Sequence, residues 1–82
     1  MKLINKARLI EADMWWGQLI GADLTGANLT GADLSRSLLP YADLSGANLS
    51  YANLYRARLT EAHLYETNLT GADLTEAHLS KA

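Results

Sequence analysis

The feature that most constrains this chain is a period of five. Every fifth residue from Ile4 is large and aliphatic: Ile4, Leu9, Met14, and then leucine without a break from Leu19 to Leu79. Two residues before each runs a column of small side chains, from Ala7 to Ala82, broken only by Gly17, Ser37 and Thr67. The residue just before the leucine is Asp or Asn at nine of sixteen positions, and the residue after it is often Ser or Thr. An α-helix cannot use this pattern, because five residues turn it by ~500° and successive leucines smear around the axis. A long flat strand fails too, since a step of five alternates faces. The pattern works if the chain turns a corner once per repeat. The small residue and the leucine then point inward together, being two apart. The Asx between them points outward, and the next two residues make the bend, for which Gly, Ser, Thr, Asn and Asp are suited.

The outward column gives the number of corners per coil. Taken every 20 residues, Asn28, Asn48 and Asn68 share one face, and Asp13, Asp33, Asn53 and Asp73 another. Leu3, Asp23, Asp43 and His63 form a third, while the fourth, with Gln18, Leu38, Arg58 and His78, has no Asx at all. A 15-residue grouping scrambles these identities. The expectation is an all-β, four-sided parallel coil of about 20 residues per turn, with about four turns in one domain spanning 1–82. Each turn contacts only its neighbours, so the end turns are the weakest and expose unpaired backbone edges. Either the chain is a piece of a longer array or its open ends pair with something.

Units such as Ala22-Asp23-Leu24-Thr25-Gly26 and Ala27-Asn28-Leu29-Thr30-Gly31 resemble the pentapeptide-repeat family, and the resemblance runs from residue 4 onward. It implies a right-handed quadrilateral β-helix and says almost nothing about function. Small proteins of this kind resemble those abundant in cyanobacteria, which implies a bacterial source. Acidic members of the family imitate DNA and inhibit type II topoisomerases. They are long, strongly negative rods with a C-terminal dimerisation extension and phenylalanines at centre positions. This chain has no phenylalanine and a net charge of −2. Four coils at ~4.8 Å each also make too short a rod to imitate much duplex. A nucleic-acid-mimicking topoisomerase inhibitor is therefore the alternative reading.

Chemistry is sparse. The chain has no cysteine, hence neither disulfides nor thiolate metal sites. Its glycines never form a phosphate-binding GxGxxG or GxxxxGK[ST] pattern. His63 and His78, with Glu61, Glu66 and Glu76 nearby, read as exposed polar residues rather than metal ligands. No Ser or Thr has an evident His–acid partner, and a solid-cored coil is expected to lack a cleft. The expectation is no enzyme, no cofactor, no metal and no small-molecule substrate. The charge gives no reason for direct nucleic-acid binding. No apolar run reaches the ~18 residues of a membrane span, and the first residues lack the apolar stretch of a signal peptide, so a cytoplasmic location is expected.

The departures from the repeat gather on one side. Trp15 and Trp16 take outward or corner positions in the first coil, where Ile20 is also apolar and outward. The face without Asx carries Leu38, Tyr41 and Arg58, and the corner leading into it stacks Trp16, Arg36, Arg56 and Glu76 at intervals of 20. Trp, Tyr and Arg dominate interaction hot spots. Trp15, Trp16, Ile20, Arg36, Leu38, Tyr41, Arg56 and Arg58 are thus the candidate protein-contact surface. The bland account is that the tryptophans cap the first coil while the arginines lie flat on aromatic rings. The expected role is a non-catalytic scaffold or protein–protein interaction module. Its partner is a second protein, or another copy held through this side or the open coil ends.

Overall fold

The computed structural model describes residues 17–82, so Trp15 and Trp16 lie outside the described residues. The backbone repeats every 20 residues: nine parallel bridges, from Gln18–Leu38 to Arg58–His78, each join residues 20 apart. That spacing establishes four sides per coil. Face one comprises residues 17–19, 37–39, 57–59 and 77–79; face two 22–24, 42–44 and 62–64; face three 27–29, 47–49 and 67–69; face four 32–34, 52–54 and 72–74.

Every corner is the same hydrogen-bonded turn. The leucine carbonyl accepts from the N–H three residues on, as in Ala22 N–H to Leu19 O at 2.9 Å and Ala52 N–H to Leu49 O at 3.0 Å. The residue between the outer corner position and the next small residue has positive φ throughout, from 57° to 70°. A type II turn requires this conformation at its third residue, which is why Gly21, Gly26, Gly31, Gly46 and Gly71 stand there. Eight further residues adopt it without being glycine, among them Arg36, Tyr41 and Arg56.

The outward Asx column has a backbone task. Asp23 Oδ1 accepts from the Thr25 N–H at 3.1 Å and the Thr25 hydroxyl at 2.7 Å. Asn28, Asp33 and Asn48 do the same to Thr30, Ser35 and Ser50. Each side chain mimics a turn and pins the start of the corner. Between coils the backbone pairs in both directions, with Leu24 N–H to Asp43 O at 2.8 Å and Asp43 N–H to Ala22 O at 2.9 Å.

Inside the coil the leucines from Leu24 to Leu59 are 0–1% exposed and the alanines between them are equally buried. The two polar departures in the small column keep their hydroxyls bonded. Ser37 donates to Leu34 O at 2.6 Å, and Thr67 donates to Leu44 O at 2.8 Å. The last coil is more exposed: Leu64, Leu69 and Leu74 are half-buried and Leu79 is 41% exposed.

Candidate functional site

Face one differs from the other three in what holds it. Its outward residues Gln18, Leu38, Arg58 and His78 include no Asx, so no side chain pins its corner. Pro40 supplies the constraint instead in the middle coil. It sits second in the Leu39–Ala42 turn, where its fixed φ suits a type II geometry and its missing N–H costs no Asx bond. The outward side chains of this face are therefore released from backbone duty.

Beside that face lies a surface groove of about 700 Å³. Arg36, Arg56 and Glu76 line it from the corner, and Leu38, Arg58, Ala77 and His78 from the face. The expectation that a solid-cored coil has no concavity holds for the interior only. Outward side chains of successive rungs, stacked at 20-residue intervals, enclose space between corner ridge and face. Leu38 is half-buried and forms an apolar part of the lining, while Arg58 and His78 are exposed.

Tyr55 organises the corner. Its N–H is held by Asn53 Oδ1 at 3.0 Å, and the guanidinium carbons of Arg36 and Arg56 lie 5.2 and 5.3 Å from its ring centroid. This is cation–π distance, and it steadies both cations against one ring. Arg56 Nε also donates to Glu76 Oε1 at 2.7 Å, and that hydrogen bond raises the Arg56 pKa above its ordinary value. Arg58 makes no ion pair or side-chain hydrogen bond among the described residues.

Of the expected contact residues, Arg36, Leu38, Arg56 and Arg58 thus converge on one groove. Tyr41 and Ile20 stand at the opposite corner of face one, 60% and 49% exposed, with the Tyr41 hydroxyl donating to Glu61 Oε2 at 3.3 Å. They flank the face without lining the groove. The arginines do lie on an aromatic ring, and the ring is that of Tyr55, which is not among the contact residues expected from the sequence. Its position immediately before Arg56 and one rung above Arg36 was the available signal. Among the described residues no cluster of His, Asp and Glu could hold a metal ion.

The family model for pentapeptide repeats matches eight copies, over residues 18–54, 27–64 and 52–82. The chain belongs to the pentapeptide-repeat family. Its fold is accordingly that family's right-handed quadrilateral β-helix, as the repeat units led one to expect. It resembles a crystallised pentapeptide repeat protein from the Arabidopsis thaliana thylakoid lumen, at 33% identity and a TM-score of 0.67 over 89% of this chain and 65% of that one. It also resembles one from Nostoc, at 36% identity and a TM-score of 0.58 over 94% of this chain and 64% of that one. The chain thus spans a little under two thirds of the length of either relative. No curated protein matches it.

Proposed function

We propose that this pentapeptide-repeat scaffold works as a non-catalytic protein–protein interaction module, with face one and its arginine-bearing corner as the contact side. The observation that supports this is the groove. It joins three arginines to a half-buried leucine on the one face whose outward residues have no role in holding the coil. Arginine and aromatic groups around an apolar patch are the composition of an interaction hot spot.

The test uses immobilised wild type and an Arg56→Ser/Arg58→Ser variant, side by side, together with light scattering across a hundredfold concentration range. The expected result is a protein, or a second copy of the chain, that associates with the wild type and is lost by the variant. Equal association by both would refute the assignment of the contact side. Absence of any association would refute the interaction reading itself.

A further inference from the structure

The chemistry of the groove also says what kind of partner it fits. Four Lys or Arg residues occur among the described residues, and three of them, Arg36, Arg56 and Arg58, line this one groove. Seven Asp or Glu residues are described, and only Glu76 lines it. A chain with a net charge of −2 thus carries a concentrated positive site on an otherwise acidic body. Like charges gathered so closely repel one another, and a low net charge elsewhere does nothing to relieve this. What relieves it is a set of acidic groups, and among the described residues Glu76 is the one carboxylate in the lining.

The arrangement suits a chain segment better than a single small anion. Arg58 projects outward from the face beside the inward-pointing Ala57, and Arg56 from the left-handed corner just before it. Arg36 lies one rung away, at ~4.8 Å along the axis. Leu38 lies among them as an apolar contact. Cations separated along two directions, with an apolar contact between, complement a segment in which carboxylates alternate with apolar side chains. Arg56 has donors beyond the Nε that Glu76 occupies, and Arg58 has its whole fork available among the described residues. The stacking of Arg36 and Arg56 against Tyr55 limits the rotamer freedom that pairing would otherwise have to remove.

We infer that the groove is a docking site for an acidic segment of a partner protein, whose carboxylates pair with Arg58 and with the Arg36–Arg56 corner while an apolar side chain covers Leu38. This rests on the interaction-module reading and narrows it. Glu76 then acts as a built-in competitor, since it already takes one edge of Arg56. An incoming carboxylate must share that guanidinium or displace it.

The probe is a capped, fluorescently labelled hexapeptide of alternating glutamate and leucine, followed by anisotropy at low ionic strength against the full chain. The Arg58→Gln variant is expected to bind about tenfold more weakly or worse, the scale of one lost charge-assisted hydrogen bond. Glu76→Gln is expected to bind several-fold more tightly, and Lys81→Gln, at the corner of face one that does not line the groove, to bind as the wild type does. Raised salt should weaken all of these complexes. Arg58 is exposed, so an unchanged circular dichroism spectrum and urea midpoint will confirm that its variant keeps the fold.

Four results would overturn the inference. They are equal binding of a glutamine–leucine peptide, indifference to Arg58→Gln, an equal loss from Lys81→Gln, and tighter binding of a single-stranded oligonucleotide than of the acidic peptide. If the peptide fails to bind while the immobilised chain still captures a partner in an Arg58-independent way, the groove assignment falls and the interaction module stands on another surface.

Discussion

Leu49→Ala in the middle of the coil tests the packing argument at its strongest point. Leu49 is 0% exposed and stacks in a column with Leu29 and Leu69, one rung to either side. The change removes three carbons, worth about 0.8 kcal/mol each in transfer alone, or about 2.4 kcal/mol. A cavity term adds about 24 cal/mol for each Å³ the surroundings fail to fill. Here they fill little, because the Leu49 N–H bonds to Asn68 O at 2.7 Å and its carbonyl accepts the Ala52 N–H at 3.0 Å. Those bonds tie the backbone to the next rung and to its own corner. The expected cost is therefore about 3–5 kcal/mol, in the upper part of the usual leucine range. With a urea m-value of about 1 kcal/mol/M for a small domain, the midpoint should fall by about 3 M or more. The control is Leu79→Ala in the last coil, where 41% exposure lets solvent refill the space and the cost should be about 1 kcal/mol. Equal shifts for the two variants would refute a core whose stability is concentrated in its middle rungs.

Three further expectations follow from the corners. Gly46→Ala and Gly71→Ala both place a side chain at positive φ, but only at Gly71 would the new Cβ lie 2.6 Å from the Tyr51 ring. Gly71→Ala should cost about 0.5–1 kcal/mol more in urea melts, an excess that Tyr51→Ala removes in a double-mutant cycle; equal costs would refute the contact. Glu66→Gly relieves a left-handed non-glycine residue at φ 57° while adding unfolded-state freedom, so its stability in urea melts should be unchanged or raised by up to about 1 kcal/mol. A marked loss would mean that the Glu66 side chain stabilises the corner. Asp43 is held below its ordinary carboxyl range chiefly by the Ser45 N–H, and Asp73 by the Thr75 hydroxyl and N–H. Folded values below the unfolded value of about 3.9 mean this contribution is complete above that pH and is lost as pH falls through the folded values. Thermal melts should show a midpoint that declines below about pH 4, and a flat profile down to pH 2 would contradict the Asx-turn account.

The inward columns and the 20-residue coil were legible because both rest on what a backbone can repeat. A leucine and a small residue two apart must share a side, and outward residues of one type align only when grouped by coil. The left-handed corners were legible only at the glycines. Nothing local in Arg36, Tyr41 or Glu66 announces a positive φ; the turn on either side imposes it, through bonds such as Ser37 N–H to Leu34 O at 3.1 Å. The groove and the place of Tyr55 were illegible for a different reason. Both depend on how long side chains from neighbouring rungs lean against one another, and spacing fixes the origin of a side chain but not its direction.

The coil divides its labour by column, and that division is why the unusual residues sit where they do. On faces two, three and four every outward residue but His63 is an Asx committed to the turn that follows it, so replacing Asp23 or Asn48 removes a pin as well as a surface group. On face one that commitment is absent, and at the middle corner the Pro40 ring adds to the backbone hydrogen bond of the turn what an Asx supplies elsewhere. Leu38, Arg58 and His78 can therefore be exchanged at little cost to the coil, and a recognition surface can form there without weakening what carries it. The corner arginines complete the same logic from the other direction. Arg36 and Arg56 hold positions where glycine would relax the backbone, so their side chains are kept against a conformational cost of about 1–2 kcal/mol each. Stacking on Tyr55 and the exposed pair with Glu76 offset part of this. Tyr41, Tyr51, Glu61, Glu66 and Lys81 share that conformation away from the groove, so the cost belongs to the corner, and what sets the groove apart is that the arginine corner meets the face without Asx there.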